Sequence, residues 1–298
     1  MKFPRIYIFI LFTFVSSACN SNQNSEALPN VYADTHTNIQ KDTLDVPQIP
    51  PLTYSFIKKK DWINQKDSFS GSKHLDILIA LNRVDSAHLK RLDSIVIPSR
   101  YDLALYDYLP FPNEVEVLKP IHKILLFSYP AQTFAAYENG KLIREGQTNM
   151  GKKSTPTPKK LYFANWKSKN SISTVNKTWI LPWNFNVHNT MGIGFHQFDL
   201  PGYPASHSCM RLQKSDAFFL YNWTNQWILK GVNEVAKGTP LIVFGDYPWG
   251  KTRPWNLLPL NPESLTITHD SIKNILAPHL NFILQKQNER DSIKAQSL

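Results

Sequence analysis

Phe195-His196-Gln197-Phe198-Asp199-Leu200-Pro201-Gly202-Tyr203-Pro204-Ala205-Ser206-His207-Ser208-Cys209-Met210-Arg211-Leu212 holds two of the nine histidines and one of the two cysteines of a 298-residue chain, with an arginine two positions after that cysteine. A thiol attacks as its thiolate and therefore needs a base. His196 lies thirteen residues before Cys209 and His207 two before it. Leu200-Pro201-Gly202 suits a type II turn, with Pro at i+1 and Gly at i+2. The segment is thus expected to run out, turn and return, with His196 on one arm near Cys209 on the other. Such a pairing predicts a thiol partly ionised near neutral pH. The other reading is a small buried cysteine with incidental histidines; the density of Ser, His, Cys and Arg within six residues weighs against it.

The run from Pro201 to Leu212 resembles the signature of the L,D-transpeptidases of the YkuD type. That family carries a histidine, a spacer, then Ser/Thr-His-Gly-Cys followed by one residue and Arg or Asn. Ser208 stands where the family has Gly. The resemblance implies a mainly β, sandwich-like catalytic domain with a short helix. It implies that Cys209 attacks a peptidoglycan stem peptide, expels D-Ala and forms a thioester, which an amine of a neighbouring stem then takes up. His196 matches the base, and His207 the second histidine, expected to hold the motif by hydrogen bonds. The backbone N–H groups of Ser208 and Cys209 would face the oxyanion. Arg211, Ser206 and Tyr203 would bind substrate or orient the motif. No Asp or Asn stands out as the group that orients His196; a backbone carbonyl is one candidate, and the orienting group is left open. No cofactor and no metal site is expected. Two rivals stand beside this reading: a carboxypeptidase or cross-link-cleaving amidase on the same site, and a non-catalytic peptidoglycan-binding lipoprotein disabled by Ser208.

Upstream, the texture is that of short strands. Ile121 to Phe127 is apolar and β-branched. Gln132 to Tyr137 and Leu142 to Gln147 flank Glu138-Asn139-Gly140-Lys141, and Asn-Gly is a strong hairpin signal. The catalytic domain is expected over 116–247, with Gly151-Lys152 and Thr155-Pro156-Thr157-Pro158 in places where the family has similar segments. Lys152, Lys153, Lys159, Lys160, Lys167, Lys169 and Lys177 read either as a solvated basic face or as a rim that holds acidic stems. Trp166, Trp179, Trp183 and Phe185 read as core or cleft wall, and His188 as structural. Ser215 and Asp216 are expected to cap a helix reaching about Trp227, with Phe218, Phe219 and Trp223 on the sheet. Gly238 to Phe244 reads as a closing strand. The C-terminal extension, 248–298, is expected to be helical from about Pro262 to Ser297.

The N-terminal end reads as an export signal over 1–19. Lys2 and Arg5 precede an apolar run, Ile6 to Val15, too short to span a bilayer. Ser16-Ser17-Ala18-Cys19 resembles a lipobox with Ser16 in the place usually held by Leu. Cys19 is therefore expected to carry the lipid, the alternative being ordinary cleavage near Ala18. If so, Cys209 has no disulfide partner, and a leftover cysteine in an exported protein reads as a reactive thiol. Residues 20–50 read as a polar tether reaching roughly 30 Å. Residues 51–115 read as a small module, either a plain packing unit or one similar to the LysM peptidoglycan-binding type, in which Lys60 replaces the usual Gly. The formal charge of +10 suits acidic partners such as wall polymers or anionic lipid; no nucleic-acid motif accompanies it. The expected location is the periplasmic side of the cell envelope, on a lipid anchor, with the oligomeric state left open.

Overall fold

The computed structural model describes residues 50–64 and 72–296. The export signal, nearly all of the tether and Cys19 lie outside the described residues. The first part is a two-stranded unit with three helices between its strands. Strand β1 (Tyr54–Lys58) pairs antiparallel with β2 (Ser94–Pro98), and α1 (Lys59–Asn64), α2 (Ser72–Leu81) and α3 (Ser86–Leu89) lie between them in sequence. Ile77, Leu78, Leu81, Ile95 and Val96 are buried. Asp85 caps α3 by accepting the His88 N–H, which satisfies one of the orphan donors of a helix start.

The main body is one curled nine-stranded sheet. Its strands are β3 (Lys123–Ser128), β4 (Thr133–Glu138), β5 (Lys141–Asn149), β6 (Leu161–Phe163), β7 (Lys167–Ile172), β8 (Ile180–His188), β9 (Ile193–Gln197), β10 (Met210–Leu212) and, after the outlying hairpin of β11 (Ile228–Lys230) and β12 (Asn233–Ala236), β13 (Pro240–Phe244). The order across the sheet is β6-β13-β3-β4-β5-β10-β9-β8-β7. Asn139 and Gly140, with φ of 48° and 79°, make the tight β4–β5 turn that Asn-Gly favours. Just past β6, Asn165 N–H donates to Asn186 O of β8 and Asn186 N–H to Trp166 O, each at 2.8 Å. The two ends of the sheet thereby approach each other. The expected mainly β fold with few helices is present, built as a single sheet curled round its core.

Alternation along β3 shows why Ile121 to Phe127 is apolar throughout. Leu125 and Phe127 point into the curl, onto Phe134, Phe185, Phe195 and Met210. Ile124 and Leu126 point outward, onto Ile272, Leu276 and Ile283 of the C-terminal helices. A strand covered on both faces reads as a continuous hydrophobic run. The C-terminal extension is two helices rather than one: α5 (His269–Leu276) and α6 (Leu280–Ala295). Pro278 falls between them and cannot supply a helical N–H. Trp255 of the same extension is buried among Ile77, Leu81 and Val96 of the first unit. Residues from Pro50 onward form one compact unit. None of the described helices is long and apolar enough to cross a membrane.

The helix after the motif, α4, runs over Lys214–Trp223, shorter than expected. Gln213 occupies its N-cap, with no side-chain cap. Asp216 is instead buried and bonded to the Arg144 guanidinium at 2.6 Å. Ala217 and Leu220 face the core while Phe218 is half exposed.

A second difference concerns the central motif. β9 and β10 are parallel neighbours, with Phe195 opposite Met210 and His196 opposite Arg211. The chain therefore does not return on itself between them. Gly202 does take the positive φ of a turn, 81°, but the chain then bridges to other segments before re-entering the sheet in its original direction. Pro201 pairs with Val84, and Ser206 with Gly151.

Candidate active site

Parallel pairing of β9 with β10 brings His196 and Cys209 to one cleft, which Arg211, Ser206 and His207 also line. Ser171, Ile172, Ser173, Thr174 and Val175 at the end of β7, with Trp166, Trp179, Leu181, Asn184, Asn186, Asn189, Phe198, Met191 and Gly192, complete the wall. Tyr203 is not part of it. That side chain is exposed and lies under the Arg253 guanidinium, 5.3 Å from ring to cation.

His196 is buried, with 3% of its surface exposed. Its Nδ1 lies 2.9 Å from the Gln197 carbonyl. A carbonyl only accepts, so Nδ1 carries the proton and Nε2 keeps a free lone pair. The backbone carbonyl that follows the histidine is thus what orients it. Burial, with a smaller push from the Arg211 charge, lowers the imidazole to about 4 against a pull from the Gln197 bond.

Cys209 is a free, partly buried thiol. Burial raises it above its ordinary value of 9.0, opposed by the Gly194 N–H and the Arg211 charge. Burial thus works against the partly ionised thiol expected from the motif. It favours the neutral form of each group, thiol and imidazole, because a charge there would have to be kept out of water.

The motif backbone is held from three directions. Ser206 donates its hydroxyl to the Cys209 carbonyl. Thr157 accepts the Gly151 N–H and donates to the Ser208 carbonyl, both at 2.9 Å. Thr155 donates to the Ser206 carbonyl at 3.2 Å, and its own carbonyl accepts the Ser208 hydroxyl at 3.2 Å. Ser208 has φ of 77°, the left-handed conformation that favours glycine. The substituted position thus keeps the backbone path that glycine would take.

His207 takes a different place from the one expected. Its Nε2 lies 3.3 Å from Lys152 Nζ and its ring packs on Trp179 at 5.9 Å. Its Nδ1 is buried with no partner among the described residues. Burial, then the charges of Lys152 and Arg211, lower it below its ordinary value. The hydroxyls of Ser206, Thr155 and Thr157 hold the motif instead. Arg211 lies over the Phe198 ring at 4.5 Å, and its Nη1 reaches the Asp199 carbonyl at 3.4 Å.

The seven lysines do not form the wall of the cleft. Lys159 pairs with Asp246, Lys160 sits over Tyr162, Lys167 over Tyr221 and Lys169 over Trp183. Lys152 reaches it only through His207. His188 is structural, its Nδ1 accepting the Met191 N–H at 3.3 Å. Sequence reasoning misses the clasp made by Thr155 and Thr157, because the Thr-Pro-Thr-Pro segment does not show which carbonyls its hydroxyls meet. It also misses the three wall asparagines, which carry no spacing signal. No group of three or more His, Cys, Asp or Glu suited to a metal ion occurs among the described residues.

Comparison with known proteins agrees with the motif. Residues 122–243 match the YkuD family model, described as the L,D-transpeptidase catalytic domain. No curated protein matches the chain. Similar solved structures include an L,D-transpeptidase from Stackebrandtia nassauensis, 24% identical over 43% of this chain and 57% of that one, with a TM-score of 0.35. Another is an L,D-transpeptidase from Mycobacterium smegmatis, 20% identical over 42% and 59%, with a TM-score of 0.34. A third, L,D-transpeptidase 1 of Mycobacterium tuberculosis, is 22% identical over 42% and 62%, with a TM-score of 0.32. The chain spans less than two thirds of the length of these structures. Residues 122–243 belong to the YkuD family of L,D-transpeptidase catalytic domains.

Proposed function

We propose that this protein is a peptidoglycan L,D-transpeptidase in which Cys209 is the nucleophile and His196 the base. One observation supports the reading most. His196 has its Nδ1 committed to the Gln197 carbonyl, which leaves Nε2 as a proton acceptor in the cleft that also holds Cys209. The Cys209 thiol gives its proton to Nε2 as sulfur attacks the carbonyl of the stem peptide. The Ser208 and Cys209 N–H groups receive the oxyanion. The bond to D-Ala then breaks, and the imidazolium returns the proton to the departing amine. An amine of a second stem attacks the thioester, losing a proton to His196. The thiol is regenerated when sulfur leaves and takes that proton back. A base held near 4 by burial stays neutral throughout the neutral range, so it is ready to accept. Arg211, at the cleft wall, offers a cation to a substrate carboxylate. The proposal includes a lipid anchor at Cys19 on the periplasmic side of the envelope.

The test is incubation of the full chain with purified muropeptides, with products identified by mass. Cross-linked dimers that have lost D-Ala support the transpeptidase. Shortened or cleaved stems without new cross-links would point to water, not an amine, as the acceptor.

A further inference from the structure

The loop between β9 and β10 is clamped at two places. Its later half, 205–208, is held by Met150, Gly151, Thr155 and Thr157. Its earlier half is held by a segment that lies outside the 122–243 domain, Asn82-Arg83-Val84-Asp85. The Asp85 N–H donates to the Leu200 carbonyl at 3.1 Å, and the Leu200 N–H returns the bond to Asp85 Oδ2 at 2.8 Å. Val84 bridges to Pro201. The Gly202 N–H donates to Asn149 Oδ1 at 3.2 Å, while Asn149 Nδ2 donates to the Arg83 carbonyl, also at 3.2 Å. The approach is close: a Cβ on Gly202 would stand 2.8 Å from Val84 Cγ1.

Asp85 is itself fixed. Its Oδ1 accepts the His88 N–H at 2.8 Å, and the His88 ring nitrogen Nδ1 lies 2.9 Å from both carboxylate oxygens. Leu200 and Val84 are fully buried, so the exchange of bonds between Asp85 and Leu200 takes place next to a dry contact, where a lost partner is costly. Three consecutive loop residues, Leu200, Pro201 and Gly202, are thus tied directly or through one side chain to residues 82–85.

We infer that Asp85 is a positioning residue for Cys209, acting through Leu200 to hold the β9–β10 loop in the path that presents the thiol to His196. The inference rests on the reading that Cys209 is the reacting group. It makes the two-stranded, three-helix first unit part of the catalytic apparatus rather than an appendage. The 122–243 segment alone lacks half of the clamp on its own nucleophile loop.

Full-length Asp85→Ala and Asp85→Asn test this by two readouts. The first is iodoacetamide alkylation at neutral pH, followed on the Cys209 peptide by mass, which does not depend on the identity of the substrate. The second is single-turnover acylation by a purified muropeptide carrying a tetrapeptide stem. In folded Asp85→Ala the loosened loop hydrates the thiol, so alkylation is expected to rise at least fivefold. Acylation is expected to fall at least tenfold, with the half-saturating concentration changing less than threefold. Opening of a destabilised fold would also expose the thiol and lower acylation, so both rates are read well below the melting temperature of the variant, where alkylation that does not change with sub-denaturing urea marks a change within the native loop. Asp85→Asn keeps an acceptor for the Leu200 N–H and is expected to shift both rates the same ways by two- to fivefold. Folded Asp85→Ala with both rates within twofold of the parent overturns the inference. If that variant does not fold, Asp85→Asn decides by the same twofold criterion. If the parent itself shows no acylation, the transpeptidase reading fails, and alkylation alone decides the role of Asp85.

Discussion

Arg211 and His196 stand opposite each other on parallel strands, as Cα partners on β10 and β9. The guanidinium pushes the buried imidazole toward its neutral form and the neighbouring thiol toward its thiolate. Burial opposes charge on both groups and is the larger influence on each. Burial thus favours the uncharged form of both groups, and Arg211 works with it on the imidazole and against it on the thiol.

The first consequence is kinetic. Alkylation of Cys209 by iodoacetamide should be slow at pH 7 and should climb as pH rises past 9, since burial holds the thiol above 9.0. Rates followed on the Cys209 peptide across pH 5 to 11 check this. A plateau reached already at neutral pH would show a preformed thiolate.

The second concerns stability. His196 is held at about 4, below its ordinary 6.5, so the folded state binds fewer protons than the unfolded chain between those values. Stability from this group is complete above pH 6.5 and is lost as pH falls toward 4. The full linkage is worth about 3 kcal/mol at one pKa unit per 1.36 kcal/mol. Urea unfolding of the parent and of His196→Gln at pH 7 and pH 4.5 should show a smaller acid loss in the variant. Identical losses would mean that His196 is not kept neutral by the fold.

The third concerns Ser208. Its φ of 77° costs roughly 1–2 kcal/mol relative to glycine, and its hydroxyl bond to Thr155 returns about 1 kcal/mol. Ser208→Ala keeps the strain and loses the bond, so it should be the least stable of the three forms. Ser208→Gly should be at least as stable as the parent, with acylation changed less than tenfold. Melting temperatures and single-turnover rates decide it. A hundredfold gain on Ser208→Gly would show that the serine had disabled the oxyanion site and would favour a binding protein.

Much of the fold was legible because its signals are local. Asn139-Gly140 specified its own turn, and the apolar β3 run announced a strand; that it is buried on both faces comes from the structure. The relation of His196 to Cys209 was not legible in its geometry. Pro201-Gly202 marked a turn correctly, yet the path of re-entry runs past bridges to Val84 and Gly151, both distant in sequence. The cap expected at Asp216 failed for a similar reason, because Arg144 on β5 claims that carboxylate. The split between α5 and α6 is readable in Pro278, which cannot supply a helical N–H. Residue types drew attention to the cleft, and long-range hydrogen bonds, which leave no local pattern, arranged it.

The central claim is that Cys209 forms a thioester by displacing D-Ala. Intact-mass analysis of the full chain, quenched at intervals after mixing with a stem tetrapeptide, tests it most directly. The account expects an adduct equal to the donor minus D-Ala, confined to the peptide bearing Cys209, absent in Cys209→Ala and formed at least a hundredfold more slowly in His196→Ala. An adduct on another residue, or product formation that persists in Cys209→Ala, would contradict it.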